Sequence, residues 1–371
     1  MAKLPEPVHE HTTATAIVRW YEKHADNEGR PHLGASLIGR PCDRELWYSF
    51  RWASAKKFSG RILRLFKRGQ REEPAFIEEL RGIGVEIHDR DAETGEQFNF
   101  RAVRNHFGGS CDGIGRGFPE APKSWAIVEF KTHNDSSFKE LLKLGVSSAK
   151  YEHFIQMQIY MGLAELERAL YLAVNKNTDE LHSEWVHFER DVFERYLAKA
   201  EKIIDSEVPL ERISNDPAWY VCKMCDQHAI CHGDKVPQKN CRTCVHATPV
   251  DDGQWGCQHH ERLIPLEEQR LGCRAHLFIP PLINYAEVLD AGNGWIKYKH
   301  RDGLVFANVT EDCDRSEENM TNDITACFTS AELVVTVSMM VADKMMASIK
   351  QQFPGARVVG SEMIEDDDIP F

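Results

Sequence analysis

An α/β fold is what this chain of 371 residues predicts, and three features of the sequence predict it. Short runs with strand character stand at residues 84–88, 98–103, 126–130, 169–174 and 182–188. Stretches with helical spacing alternate with them, at Ile17 to His24, Arg68 to Ile83, Tyr151 to Met161 and Val192 to Ile204. No apolar run approaches the roughly 20 residues that a bilayer span needs. Alternating elements of this kind pack as helices on a sheet. The length suits two or three domains.

Composition narrows the function. Met1-Ala2-Lys3-Leu4-Pro5-Glu6-Pro7 has no apolar core of a secretory leader, so a cytoplasmic location without a membrane partner is expected. Eleven cysteines in that compartment point to bound metal rather than disulfides. A net charge of −13 counts against a protein that coats nucleic acid. It leaves room for an enzyme that acts on nucleic acid, because charge can be segregated.

Residues 1–10 read as a loose leader, after which Thr12 or Thr13 can cap the first helix. Cys42 follows, alone, and is either a buried apolar side chain or a ligand. From Arg40 to Arg71 the charge is one-sided: Arg40, Arg44, Arg51, Lys56, Lys57, Arg61, Arg64, Lys67, Arg68 and Arg71 face only Asp43 and Glu45 as acids. A solvated helix face would look like this. In an acidic chain it also reads as a phosphate-binding surface, with Arg61, Arg64, Lys67 and Arg68 as the phosphate contacts. Gly69 and Glu73, just before Pro74, open the next helix, where an acid is favoured by the helix dipole whether or not it binds metal.

The centre of the chain is Gly109 to Thr132. Ala126 to Phe130 reads as a buried strand, and a buried strand that ends in Glu129-Phe130-Lys131 is unusual, because burying charge is costly unless it is paired or metal-bound. Asp112 ends another strand-like stretch. One acid on each of two paired strands, with a lysine beside them, can hold a divalent ion and polarise a phosphate. Gln156 and Tyr160 then share one face of a helix.

Cys222, Cys225 and Cys231 are spaced as metal thiolates, and Cys42 is the natural fourth ligand. Zinc and an iron–sulfur cluster both suit four thiolates. A second set, Cys241, Cys244, Cys257 and Cys273, reads as a zinc ribbon with a structural Zn²⁺, with His259, His260 and His276 as alternate ligands. Cys111, Cys313 and Cys327 stay unassigned, Cys111 being placed in the core. A hairpin is expected from Gly294–Lys299 and Leu304–Val309 around Arg301-Asp302-Gly303, then a helix from Thr329 through Met345.

In order, Gly69…Glu73, Asp112, Glu129-Phe130-Lys131 and Gln156…Tyr160 resemble the motifs of the PD-(D/E)XK nucleases, in the λ-exonuclease-like and RecB-like branch. Two departures stand out: Ser-Cys-Asp replaces Pro-Asp, and Glu73 replaces the RecB-type histidine. The resemblance covers the first 235 residues and implies a mixed sheet flanked by helices. It implies that Glu73, Asp112, Glu129 and the Phe130 carbonyl hold Mg²⁺ or Mn²⁺. It also implies that Lys131 serves the attacking water, and that Gln156 and Tyr160 brace the site against the DNA backbone. One N-terminal cysteine with a C-terminal cysteine trio resembles the AddB-type nucleases, which implies a 4Fe–4S cluster at Cys42, Cys222, Cys225 and Cys231.

The expected organisation is then a nuclease domain over 1–235, a zinc-ribbon-like module over 236–280, a small α+β segment over 281–360 and an acidic tail over 361–371. The last residues, Asp366-Asp367-Asp368-Ile369-Pro370-Phe371, resemble the tip of bacterial single-stranded DNA-binding protein, SSB. That likeness implies docking on recombination, repair or replication proteins that read the SSB tip, although a disordered acidic tail has the same composition. The reading is a metal-dependent deoxyribonuclease, an exonuclease of phage or bacterial recombination or repair. The alternative is a DNA-end-binding adaptor or host-factor decoy.

Overall fold

The computed structural model describes residues 12–26, 28–55, 57–314, 324 and 326–336. The leader, Lys56, the acidic tip Asp366 to Phe371 and most of the last expected helix lie outside the described residues. Helix α1 (Thr13–Lys23), strand β1 (Leu33–Gly34) and helices α2 (Asp43–Phe50) and α3 (Gly60–Gly82) come first. Strands β2 (Glu86–His88), β3 (Asn99–Ala102), β4 (Phe107–Ser110), β5 (Gly113–Arg116) and β6 (Ala126–His133) follow. Helices α4 (Asp135–Leu144), α5 (Val146–Ala149) and α6 (Tyr151–Ala164) lead to β7 (Arg168–Asn175), β8 (Leu181–His187) and α7 (Arg190–Asp205). Short elements complete the chain: α8 (Tyr220–Lys223), α9 (His228–Cys231), β9 (Ala247–Pro249), β10 (Trp255–Cys257), β11 (Arg262–Leu263) and α10 (Leu266–Leu271), then β12 (Ala286–Gly292), β13 (Trp295–His300), β14 (Val305–Val309) and β15 (Ala326–Thr329).

The chain divides into two compact units, each built from separate stretches. The first takes Met1–Gly29, Ala55–Phe100 and Ser110–Arg190; the second takes Arg30–Ser54, Arg101–Gly109 and Asp191–Phe371. The stretches 236–280 and 281–360 therefore share the second unit with the segment around Cys42.

The first unit is α/β, as the sequence predicts. Its five-stranded sheet runs β2-β5-β6-β7-β8. β6 and β7 are parallel and the other pairs antiparallel, so the sheet is mixed. Phe76, Ile77 and Leu80 of α3 bury their apolar stripe against Val128, Phe130 and Leu170 of the sheet. The Phe76 and Phe130 rings stack at 4.9 Å. Thr12 caps α1, its Oγ1 accepting the Thr15 N–H at 3.2 Å.

Helix α3 begins at Gly60, eight residues before the start expected from Arg68, and carries Pro74 inside it. Pro74 lacks the N–H that the Gln70 carbonyl would accept, a defect of roughly 3 kcal/mol in an isolated helix. The packing of Phe76, Ile77 and Leu80 one turn later offsets it. The early start has its own anchor: Glu22 Oε1 accepts the Gly60 N–H at 2.8 Å. A Cβ on Gly60 would lie 2.1 Å from the Val18 carbonyl, so only glycine lets α1 and α3 cross there.

The second unit holds a three-stranded sheet β11-β10-β9 and a four-stranded sheet β12-β13-β14-β15. Leu277, Phe278, Tyr285, Ile296, Tyr298 and Phe306 form the main part of one of its cores. The expected hairpin is β13–β14, and Gly303 at φ +87° makes its turn. β12 was not legible, because most of its residues are exposed and supply no apolar alternation. Residues 330–336 are helical, where the last helix is expected to start. No described helix is long and apolar enough to cross a membrane.

Candidate active site

Strand order brings the predicted residues of the first unit together. β5 pairs antiparallel with β6, Gly113 opposite Val128, so Asp112 stands at the mouth of the pair beside Glu129. Asp112 Oδ2 accepts the Phe130 N–H at 2.7 Å. Lys131 Nζ pairs with Glu129 Oε1 and donates to the Phe130 carbonyl at 3.2 Å. Helix α3 adds Glu73, which feels the charges of both Asp112 and Lys131. The helix passes close to β6 here, for a Cβ on Gly69 would lie 3.8 Å from Thr132 Oγ1.

Three carboxylates thus converge on one ammonium. Glu129 is 1% exposed, and its Oε2 has no hydrogen-bond partner among the described residues. Burial pushes the Glu129 carboxyl up to about 7; Lys131 opposes the shift, and Asp112 and Glu73 add to it. Burial also raises Glu73, helped by Asp112 and opposed by Lys131. Burial pulls Lys131 down, but Glu129, Asp112 and Glu73 outweigh it and the ammonium ends above its ordinary value. The site is short of positive charge. Among the described residues no three His, Cys, Asp or Glu side chains are already drawn to the separations of a bound metal. The donor set, hard oxygens with one buried oxygen unpartnered, nevertheless fits a divalent cation.

Helix α6 supplies Gln156 and Tyr160. Both are buried, and Gln156 Nε2 donates to Tyr160 Oη at 3.3 Å. Burial raises the Tyr160 phenol, and the charges of Glu129 and Asp112 raise it further.

Sequence reading missed the polar chain beside them. Glu129, Lys131 and His133 alternate onto one face of β6. Tyr171 is the register partner of Glu129 on β7. Tyr171 Oη lies 2.8 Å from His133 Nε2 and 2.9 Å from His153 Nδ1, and His133 Nδ1 lies 3.0 Å from Ser137 Oγ. The β6 alternation was the available signal. Burial lowers His133 to about 4, with Lys150, Lys131, Lys176 and His182 lowering it further. A histidine depressed on folding contributes stability that is complete above its unfolded pKa and is lost as pH falls. The window runs from 6.5 down to about 4. It corresponds to at most about 3 kcal/mol. Urea unfolding should show wild type losing its advantage over His133→Gln across that window. A gap that stays constant from pH 7 to pH 4 would show that His133 does not titrate this way.

The basic block splits. Arg40 pairs with Glu45, Arg44 donates to Tyr48 Oη at 2.9 Å and to the Leu210 carbonyl at 2.7 Å, and Arg51 is buried. These three build the second unit, which corrects the reading of one continuous phosphate-binding surface. Arg61, Arg64, Lys67, Arg68 and Arg71 are exposed on α3. Arg61, Arg64, Arg68 and Arg71 recur at helical spacing and form one row. Lys176, absent from the sequence reading, joins them: Arg68 donates to its carbonyl at 2.9 Å, and Arg68 and Arg61 help depress its ammonium.

Both cysteine sets lie in the second unit. Cys42, Cys222, Cys225 and Cys231 line one cavity of about 20 Å³. Cys42 is the N-cap residue of α2, and its thiol makes no capping bond. The Gln227 N–H points at Cys225 Sγ at 3.4 Å. Burial pushes the Cys225 thiol up to about 12, with Glu45 and Cys42 adding to it. Four thiols are a donor set that suits zinc or an iron–sulfur cluster. Cys241, Cys244, Cys257 and Cys273 line a larger cavity of about 200 Å³. Cys111 is fully buried in the first unit.

No family model and no curated protein sequence matches this chain. Among solved structures the chain is similar to an alkaline exonuclease from Laribacter hongkongensis, at 16% identity and a TM-score of 0.34, covering 50% of this chain and 89% of that one. It is similar to the same exonuclease in complex with dAMP at 13% identity and a TM-score of 0.33, with 50% and 89% covered.

Proposed function

We propose that the first unit is a metal-dependent deoxyribonuclease. The observation that carries this reading is the meeting of Glu73, Asp112 and Glu129 around Lys131, with one Glu129 oxygen buried and unpartnered. A purely structural ion pair has no use for two more carboxylates and an empty acceptor, which cost free energy in a buried place. Glu73, Asp112, Glu129 and the Phe130 carbonyl would hold Mg²⁺ or Mn²⁺. When bound, the ion activates water and offsets charge on the phosphate. Lys131 holds an ammonium beside the reacting phosphate oxygens, where a fixed donor stabilises developing charge. Gln156 and Tyr160 brace the cluster from α6.

DNA is the substrate we assign, because the exposed arginine row on α3 is a phosphate-binding face on a chain of net charge −13. The Gly69…Glu73 motif makes attack at DNA ends the mode we assign. Cys42, Cys222, Cys225 and Cys231 would hold a 4Fe–4S cluster that ties the start of α2 to the α8–α9 segment.

Purified protein given end-labelled linear DNA and a closed circle, with Mg²⁺ or Mn²⁺, should digest the linear DNA alone, and chelation should stop it. Triple charge reversal at Arg61, Arg64 and Lys67 should weaken DNA binding at every sequence and flatten its salt dependence, because phosphate contacts release counterions. Cutting of the circle would replace end attack with internal cleavage. No cutting under any metal would overturn the enzyme reading.

A further inference from the structure

The second unit buries two guanidiniums in one aromatic cage. Arg51 is 1% exposed and Arg242 is fully buried. The Arg242 guanidinium lies 3.6 Å from the Trp52 ring centre and 4.7 Å from that of Trp255, and Arg51 lies 5.1 Å from the same Trp255 ring. Arg242 donates to the Phe50 and Pro31 carbonyls, each at 3.0 Å, and to Gln269 Oε1 at 3.0 Å. Arg51 donates to the Arg242 and Ala247 carbonyls at 3.1 and 3.3 Å, while its Nε has no partner among the described residues. Neither forms an ion pair with a carboxylate among the described residues; Glu207 reaches Arg51 only through its field. Neutral acceptors and ring faces offset part of the cost of burial, but two buried positive charges call for counter-charge.

Besides Glu207, the second cysteine set is a source of negative charge in this unit. Arg242 lies between Cys241 and Cys244 in the chain, and the Arg51 guanidinium reaches the Arg242 and Ala247 carbonyls on either side of Cys244, whose field it feels. β10 carries Cys257 and pairs Cys257 with Ala247 on β9, three residues past Cys244. Gly272 at φ +64° turns the chain into Cys273, and a Cβ there would lie 3.3 Å from the Asn240 Cα. That close approach sets Cys273 beside Cys241. Backbone amides already face the sulfurs, those of His246 and Leu277 at Cys244 and that of Gly272 at Cys241. His276, an alternate ligand on sequence grounds, is committed elsewhere: its Nδ1 lies 2.8 Å from Ser330 Oγ and its Nε2 3.0 Å from the Asn240 carbonyl.

We propose that Cys241, Cys244, Cys257 and Cys273 bind one zinc ion as a tetrathiolate, and that this centre is the counter-charge of the buried Arg51–Arg242 pair. Four thiolates around a divalent ion carry two net negative charges, and the two guanidiniums carry two positive ones. Four neutral thiols would leave the pair uncompensated. The site is independent of the nuclease reading, and its test does not measure cleavage.

Elemental analysis of the full chain should find zinc that Cys257→Ser lowers by one equivalent. Replacement with Co²⁺ should give the intense sulfur-to-metal absorption of four thiolate ligands. Arg242→Met should weaken zinc retention against a competing chelator by about tenfold or more, and Arg242→Lys, which keeps the charge, by less. Arg51→Gln repeats that measurement should Arg242→Met be insoluble. Wild-type protein without this zinc, or a cobalt spectrum without thiolate bands, overturns the site. Zinc held as tightly as in wild type by a folded Arg242→Met or Arg51→Gln protein overturns the charge pairing.

Discussion

Glu129→Gln should abolish metal-dependent DNA cleavage and leave the metal-free protein at least as stable as wild type. Glutamine keeps the shape of the side chain but removes a charge that is buried, crowded by Asp112 and Glu73, and only half used, since Lys131 meets one oxygen and the other has no partner. Removing one partner of a buried ion pair destabilises only when it leaves the other charge uncompensated. Lys131 is a quarter exposed and keeps Asp112 and Glu73 as neighbours, so it is not stranded. Cleavage should fall by factors of hundreds or more, because a metal ligand is lost. Asp112→Asn and Lys131→Met should lose activity to the same extent. Thermal unfolding and a cleavage assay on one preparation decide the matter. Near-wild-type cleavage by Glu129→Gln would sink the site, and a collapse of the fold would make Glu129 a structural residue.

Cys222→Ser should bleach the protein and destabilise the second unit. Prepared without oxygen, the wild-type protein is expected to be brown, with broad absorption near about 400 nm from thiolate-bound iron and sulfide. Cys222 shares its cavity with Cys42, and a bond between segments so distant in sequence closes a long loop, so its loss costs several kcal/mol. A colourless anaerobic preparation that carries zinc at these cysteines would replace the cluster with a zinc ion. Retention of colour in Cys222→Ser would remove that residue from the ligand set.

Much of the first unit was legible because its anomalies are local. A glutamate and a lysine at the end of an apolar strand are visible in three consecutive residues; β7 and β8 lie within one residue of their expected ends, while β6 starts at Ala126 as expected and runs three residues further, to His133. The start of α3 was not legible, because Pro74 reads as the first turn of a helix, its commonest helical place. In the fold it is an interior residue held by packing that no single-sequence pattern shows. The His133–Tyr171–His153 chain escaped for another reason. Each residue is unremarkable alone, and only the parallel pairing of β6 with β7 and the docking of α6 bring the three together. The arginines misled in the opposite sense. Arg40, Arg44 and Arg51 look like Arg61 and Arg64 in sequence, yet the first three are used up by the Glu45 carboxylate, the Tyr48 hydroxyl and main-chain carbonyls. Charge density along a chain does not tell which charges the fold consumes.

The interleaving of the two units sets a clock on biosynthesis. The Arg51 guanidinium finds its carbonyl at Arg242, 191 residues later. At roughly 5 to 20 residues per second the ribosome needs about 10 to 40 s to supply it. Through that interval Phe50 and Trp52, both buried in the finished protein, lack the Trp255 ring and the Arg242 guanidinium, while the stretches of the first unit through Arg190 are completed. The nascent chain should therefore hold a complete first unit and a sticky aromatic segment at once, a natural client for a holding chaperone. A fragment ending at residue 235 would leave the Phe50 and Trp52 rings without Trp255 and Arg242, so solubility is what such a truncation would lose.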